Sequence, residues 1–308
     1  MAVVRQRKKP FPTHIVVFLA PAMLVYTLFM IYPLLDSLRL SFFTQDARGV
    51  ESFAGTSNYV QLLSDPLWAP RFWGALRHNL VFFAVHMLVQ NPIALLLATL
   101  LATGGRARAV YRTLIFTPTL LSVVIIGFSW QLILSPLWGV AQGLLKTLGL
   151  GSLYAPWLGS PDTALITLAL ISVWQFVGIP MMLFYAALIG IPEELYEAAR
   201  VDGATPWSIF WRVKLPLLMP TVVVVTILTF VGNFNAFDLI YSVKGALAGP
   251  DFAADIMGTL FYRTFFGFQL QLGNPTMGAT VAAMMFLIIL TGVALLSFWQ
   301  RRTQVYEL

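Results

Sequence analysis

Six apolar runs, each about 20 residues or longer, leave this chain few folds to choose from. They lie at about Ile15 to Leu40, Leu80 to Ala102, Thr113 to Leu134, Ala164 to Ile189, Leu215 to Tyr241 and Gly278 to Trp299. A run of that length crosses the ~30 Å hydrocarbon core of a bilayer as a helix. Lipid leaves no backbone polar group unpaired, and no segment alternates as barrel strands do, so helices are the spanning form. Composition agrees, with 58% hydrophobic and 10% charged residues, where water-soluble domains carry about 25% charged. The expected fold is all-α: a polytopic membrane helix bundle, residues 1–308 forming one transmembrane domain.

The charges set the topology. Arg5, Arg7, Lys8 and Lys9 precede the first run. That run is too long for a signal-peptide core of about 7–15 residues, so an uncleaved first helix is expected. With the N-terminus inside, the inner segments also hold Arg106, Arg108 and Arg112, then Arg200, Arg212 and Lys214, then Arg301 and Arg302. The short second-to-third connection, TGGRARAVYR, is the most decisive, and both termini are expected in the cytoplasm. The formal net charge of +6 therefore reports topology. The basic residues form no continuous stripe, and a nucleic-acid partner is not expected.

Enzyme chemistry finds no foothold. There is no P-loop signature to cradle ATP. His14, His78 and His86 are scattered, with no carboxylate cluster at metal spacing. His86 reads as a hydrogen-bonded packing residue. Cysteine is absent, which excludes disulfides and thiolate ligands. Between the third and fourth runs, residues 135–161 are half-apolar but broken by glycines, which predicts a short surface helix. The aromatics closing the 243–275 loop mark a membrane interface or line a gate. Pro21, Pro33, Pro92, Pro118, Pro180 and Pro220 fall inside the runs; each is expected to bend its helix, for packing or for hinging.

One segment interrupts the apolar pattern. In IPEELYEAARVDGATPW, Pro192 suits a first helical turn, and Glu193 and Glu194 sit where the helix dipole favours negative charge. Gly203 stands where a helix end needs positive φ. Thr205 and Pro206 then read as an N-cap and first residue of a second short helix, running to a turn at Leu215-Pro216. Such a pair lies on lipid headgroups or presents a slim knob to a cytoplasmic partner.

The stretch EAARVDGATPWSIFWRVKLPLLMP resembles the cytoplasmic loop of permease subunits of binding-protein-dependent ABC importers, whose pattern is roughly E-A-A-x-x-D-G-A followed by I/V-x-L-P-x-x-x-P. Glu197, Ala198, Ala199, Asp202, Gly203, Ala204, Val213, Leu215, Pro216 and Pro220 match it. Further stretches, among them IYPLLDSLRLSFF, RTLIFTPTLLSVV and FNAFDLIYSVKGALAGP, are similar to the carbohydrate-uptake branch, though VKGALAGP stands where that branch has TGGGP. The resemblance implies a multi-pass inner-membrane permease in which residues 191–214 form a coupling helix. That loop would dock on one of two cytoplasmic ATPase subunits, which carry the ATP and Mg. It also implies a second permease subunit in a heterodimer, an extracytoplasmic solute-binding protein and a sugar substrate. Glu197, Ala198, Ala199, Asp202, Gly203, Ala204 and Pro216 would form the ATPase-coupling surface.

Polar residues inside lipid are costly and mark functional sites by default. Asn235, Asp238 and Tyr241 recur every three residues and share a helix face; Asn233 points elsewhere unless Gly232 loosens the helix there, and Trp174 and Gln175 are similar candidates on the fourth run. They line a substrate path or hydrogen-bond between helices. A permease for a non-sugar solute is the nearest alternative. A stand-alone secondary transporter would need an ion-coupling carboxylate at mid-membrane, for which Asp238 is the candidate, and would have no use for the loop.

Overall fold

A computed structural model describes residues 13–46, 49–105, 107–269 and 272–303. Arg5, Arg7, Lys8, Lys9 and Arg106, and the side chains of Arg301 and Arg302, lie outside the described residues. Among the described residues, four helices are long and apolar enough to cross a membrane: α1 (Val17–Leu40), α3 (Ala69–Ala102), α10 (Pro206–Lys244) and α12, whose membrane stretch is Pro275–Gln300. Two further pairs pass only together. Arg108–Leu120 (α4) and Val123–Ile133 (α5) meet at 95°, and Pro161–Phe176 (α7) and Gly178–Ile189 (α8) meet at 44°. The third run is thus bent at Pro118 as the sequence suggests, and the bend amounts to a break. Thr117–Leu120 tightens into a 3-10 turn around Pro118, and Leu121 is extended, because proline can neither donate to the preceding turn nor fit its carbonyl.

Three other prolines, Pro33, Pro92 and Pro216, are absorbed without a break. Three five-residue π-helical segments, Thr27–Ile31, His86–Gln90 and Phe210–Lys214, each end two residues before a proline: Pro33, Pro92 and Pro216. The carbonyl four residues before each proline falls on the central residue of its π segment. The wider turn moves that carbonyl off the ring, and the N–H before each proline bonds five residues back, as Asn91 does to His86. The sequence expectation fails at Leu215-Pro216. The chain does not turn there; the short helix after Thr205 is the beginning of α10.

Buried side chains fall into three clusters. One joins Phe82, Ile126, Leu168 and Ile240. Another joins Leu62, Phe72, Phe234 and Met277. The third, Ala94, Ala98, Met181 and Leu218, fills the end nearest the Glu193–Val201 loop. The small residues there let α3 and α8 approach closely, as membrane helices do. Gly178 works the same way, since a Cβ at that position would lie 2.9 Å from Cα of Phe116. At the opposite end, β1 (Phe43–Gln45) and β2 (Glu51–Phe53) form an antiparallel hairpin pairing Phe43 with Phe53. Asn58, in α2 (Ser57–Ser64), ties it down by donating to the carbonyls of Ser41 and Phe43.

Candidate functional site: a polar cavity and an exposed loop

A cavity of about 410 Å³ opens among α3, α7, α8 and α10, within the ~300–1,000 Å³ of small-molecule sites. Most of its wall is apolar. Its polar side chains include His86 and Gln90 from α3, Ser172 from α7, and Asn233, Asn235 and Asp238 from α10. The α-helical turns of α10 stop at Phe234 and resume at Phe237. This loosened turn resets the helical phase. Asn233 therefore lines the same cavity as Asn235 and Asp238, as a helix loosened near Gly232 allows and a regular one does not. Tyr241 leaves their face and stacks on Phe237, with ring centroids 5.0 Å apart and Tyr262 5.1 Å away.

Asn233 is locked by its neighbours. Its carbonyl accepts from Asn79 Nδ2 at 3.0 Å, and its own Nδ2 donates to the Thr229 carbonyl. His86 Nδ1 lies 2.9 Å from the Phe82 carbonyl, which can only accept, so Nδ1 carries a proton. In the neutral ring, Nε2 then accepts from Ser172 Oγ at 3.0 Å. Among the described residues, the buried side-chain oxygens of Gln90 and Asn233 have no hydrogen-bond partner. Such orphans are uncommon in a packed interior.

The fourth-run candidates lie elsewhere. Gln175 is fully buried; its Nε2 donates to the Leu121 carbonyl, and its backbone carbonyl accepts from Thr119 Oγ1. It clamps the 95° bend. Trp174 is exposed on the bundle surface, edge-on to Trp130. Neither lines the cavity.

At the other end of α10 sits the polar interruption. Glu193–Val201 (α9) ends in a paired-bond cap. Gly203, at φ +78°, donates to Arg200, and Ala204 donates to Ala199. Thr205 Oγ1 accepts from the Ser208 N–H and starts α10, with Pro206 in its first turn. Lys214 Nζ sits 5.1 Å over the Tyr196 ring and ties α9 to α10. Partial burial pushes the Tyr196 phenol up from its ordinary value, keeping it neutral. Glu197, Ala198, Asp202 and Gly203 are exposed, with Ala199 and Ala204 half-buried behind them. Among the described residues Glu197 has no ion pair or side-chain hydrogen bond. Val201 and Trp207 are 88% and 72% exposed, an unusual apolar outlay for a water-facing loop.

Sequence reasoning missed a buried ion pair. Arg263 grips Asp255 through both guanidinium nitrogens, the shorter contact being 2.7 Å, and also bonds the Ala246 carbonyl. Thr259 donates to the same carboxylate, and His78 Nδ1 meets the Asp255 carbonyl at 2.8 Å. An eight-residue separation across a loop and a helix, Met257–Phe266 (α11), gives no periodic signal.

Comparisons with known proteins fit this architecture. The sequence model described as "Binding-protein-dependent transport system inner membrane component" matches residues 90–304. The chain is 33% identical to the lactose transport system permease protein of Rhizobium radiobacter over 285 residues, covering 92% of this chain and 91% of that one. It is 29% identical to the arabinooligosaccharides transport system permease protein of Bacillus subtilis, covering 91% and 86%. A solved structure of a bacterial alginate ABC transporter, in complex with a pentasaccharide-bound periplasmic protein, contains a similar fold. Its TM-score is 0.79 at 22% identity, covering 96% of each chain. With its membrane helices and matching loop, the chain belongs to the family of inner-membrane components of binding-protein-dependent transport systems.

Proposed function

We propose that this chain is a permease subunit of an ABC importer for sugars or oligosaccharides, that the cavity beside α10 lies on the solute path, and that residues 191–214 are the coupling loop to an ATPase. The observation that carries this reading is the continuity of α10. It begins at the exposed, capped loop and brings Asn233, Asn235 and Asp238 to the cavity roughly 40 Å away, at ~1.5 Å rise per residue. A push on the loop is therefore a displacement at the cavity. Each bent pair counts as one span, giving six spans with both termini cytoplasmic, as the arginines at the loop end favour.

In this reading Glu197, Ala198, Ala199, Asp202, Gly203, Ala204 and Pro216 form or support the docking knob. Two ATPase subunits bind ATP and Mg, and a second permease chain completes the path. An extracytoplasmic binding protein delivers the solute. Asn233, Asn235 and Asp238 meet hydroxyl groups, while Trp174, Gln175 and Tyr241 shape the helices around them. A sugar is favoured because relatives are named for lactose, trehalose/maltose and arabinooligosaccharide transport. Another relative is named for uptake of osmoprotective compounds, which keeps a non-sugar solute as the second reading.

Reconstitution tests both. The chain is purified with its accompanying subunits, and the binding protein is screened for thermal stabilisation against sugars and compatible solutes. ATP-dependent uptake of the stabilising solute is expected only with all subunits present. Uptake by this chain alone would overturn the reading.

A further inference from the structure

Between the bent α4–α5 pair and α7, the helix Val140–Thr147 (α6) turns an apolar arc away from the bundle. Ala141 packs toward the cluster containing Ile126 and Leu168. Val140, Leu144 and Leu148 recur every four residues on an exposed face, at 70%, 57% and 62%. Leu137 and Trp138, just before the helix, are each 83% exposed. Gln142 and Lys146 occupy the opposite arc, and Lys146 is the only charged residue between Ser135 and Ser160.

Three observations say what covers this arc. It is continuous with the exposed apolar side of α5, where Val124, Ile125 and Phe128 are more than half exposed. α5 rises about 16 Å over its 11 residues, about half the ~30 Å hydrocarbon thickness, so a chain that bends at mid-membrane and turns outward along α5 reaches the edge of the layer near its end. Apart from the Trp138 indole, the arc's polar side chain is Thr147, whose hydroxyl is turned back onto the Gly143 carbonyl of its own helix, whereas protein interfaces hold about one hydrogen bond per 100–200 Å². An apolar arc beside an indole and a lone lysine, on a short amphipathic helix, fits the headgroup boundary.

We propose that α6 is an interfacial anchor. It lies in the membrane plane at the end of the bundle opposite the Glu193–Val201 loop, with Val140, Leu144 and Leu148 among acyl chains and Lys146 among headgroups. It fixes the outer end of the bent α4–α5 pair against the bilayer.

The natural absence of cysteine gives a clean test. Nitroxide labels are placed at Val140→Cys, Leu144→Cys and Lys146→Cys in the full chain with its accompanying subunits, reconstituted in phosphatidylcholine–phosphatidylglycerol vesicles. Collision with oxygen reports lipid, and collision with a water-soluble nickel chelate reports water. The oxygen-to-nickel ratio is expected to be several-fold higher at 140 and 144 than at 146. Low accessibility to both at 140 and 144 means a protein covers the arc, and high nickel accessibility means water does; either overturns the anchor. Should one labelled variant fail to assemble, Leu148→Cys reads the same face.

Discussion

Among the described residues four other than glycine hold left-handed backbone, and three of them, Ala248, Asp251 and Phe252, with φ of 54°, 50° and 57°, share one loop. Such a conformation costs an L-residue roughly 1–2 kcal/mol. It persists because Arg263 draws the loop inward through Asp255 and the Ala246 carbonyl, with its guanidinium 4.7 Å over the Phe252 ring. Ala248→Gly relieves that strain but gives up a methyl fully buried in the cluster of Leu168 and Ile240, worth about 0.8 kcal/mol, and adds glycine's freedom when unfolded. The effects offset, so the thermal midpoint of the detergent-solubilised protein is expected to change little. Arg263→Met has no such offset. It strands a buried carboxylate at a cost of about 3–5 kcal/mol, so a clear drop in that midpoint is expected. An unchanged midpoint would show that the pair is not buried. Gly203 is the other backbone position that matters. Its φ of +78° is ordinary for glycine and strained for valine, so Gly203→Val distorts the loop while the apolar spans still insert. Transport is expected to fall while the subunits' ATP hydrolysis persists; wild-type uptake in vesicles would refute this.

At the scale of elements, the prolines behave in two ways. Pro118 breaks its run at 95°, whereas Pro33, Pro92 and Pro216 sit behind widened turns inside continuous helices. The widened turn before Pro92 contains both His86 and Gln90, so it builds part of the cavity. Pro92→Ala restores a donor and removes the ring clash, which lets 86–90 tighten to ordinary α turns. One residue of register is worth about 100° of rotation, enough to turn His86 from Ser172. The expected result is intact assembly with a raised transport KM; an unchanged KM would mean that the turn persists without the proline. Thr205→Ala removes the cap joining loop to span, at a cost of about 1 kcal/mol. That cost is expected as faster proteolysis at the loop.

For the whole molecule, α10 connects the exposed, capped loop to a solute-sized cavity, and on the proposed function its two ends should respond to each other. Asp238→Ala, at the cavity, is expected to change substrate-stimulated ATP hydrolysis even though the loop proposed to meet the ATPase lies at the opposite end of α10. Reciprocal coupling of that kind is what a shared free energy between sites requires. An unaltered response would remove Asp238 from the path. The capped, glycine-cornered loop was legible in advance because caps, dipoles and positive-φ glycines act within a few residues. The spans were legible because lipid imposes length and apolarity on each one separately.

Long-range partners were not legible. Asn233, Asn235 and Asp238 meet one cavity because α10 loosens at Asn235, and helical periodicity assumes no such break. His86 joins them through Ser172, 86 residues away, and Asp255 finds Arg263 through a folded loop. The sequence by itself determined that the chain crosses a membrane and where its loop is capped, since both depend on local chemistry and on the bilayer's thickness. Only the tertiary structure decided which polar side chains share a cavity, because that depends on the phase of each helix and on where its breaks fall.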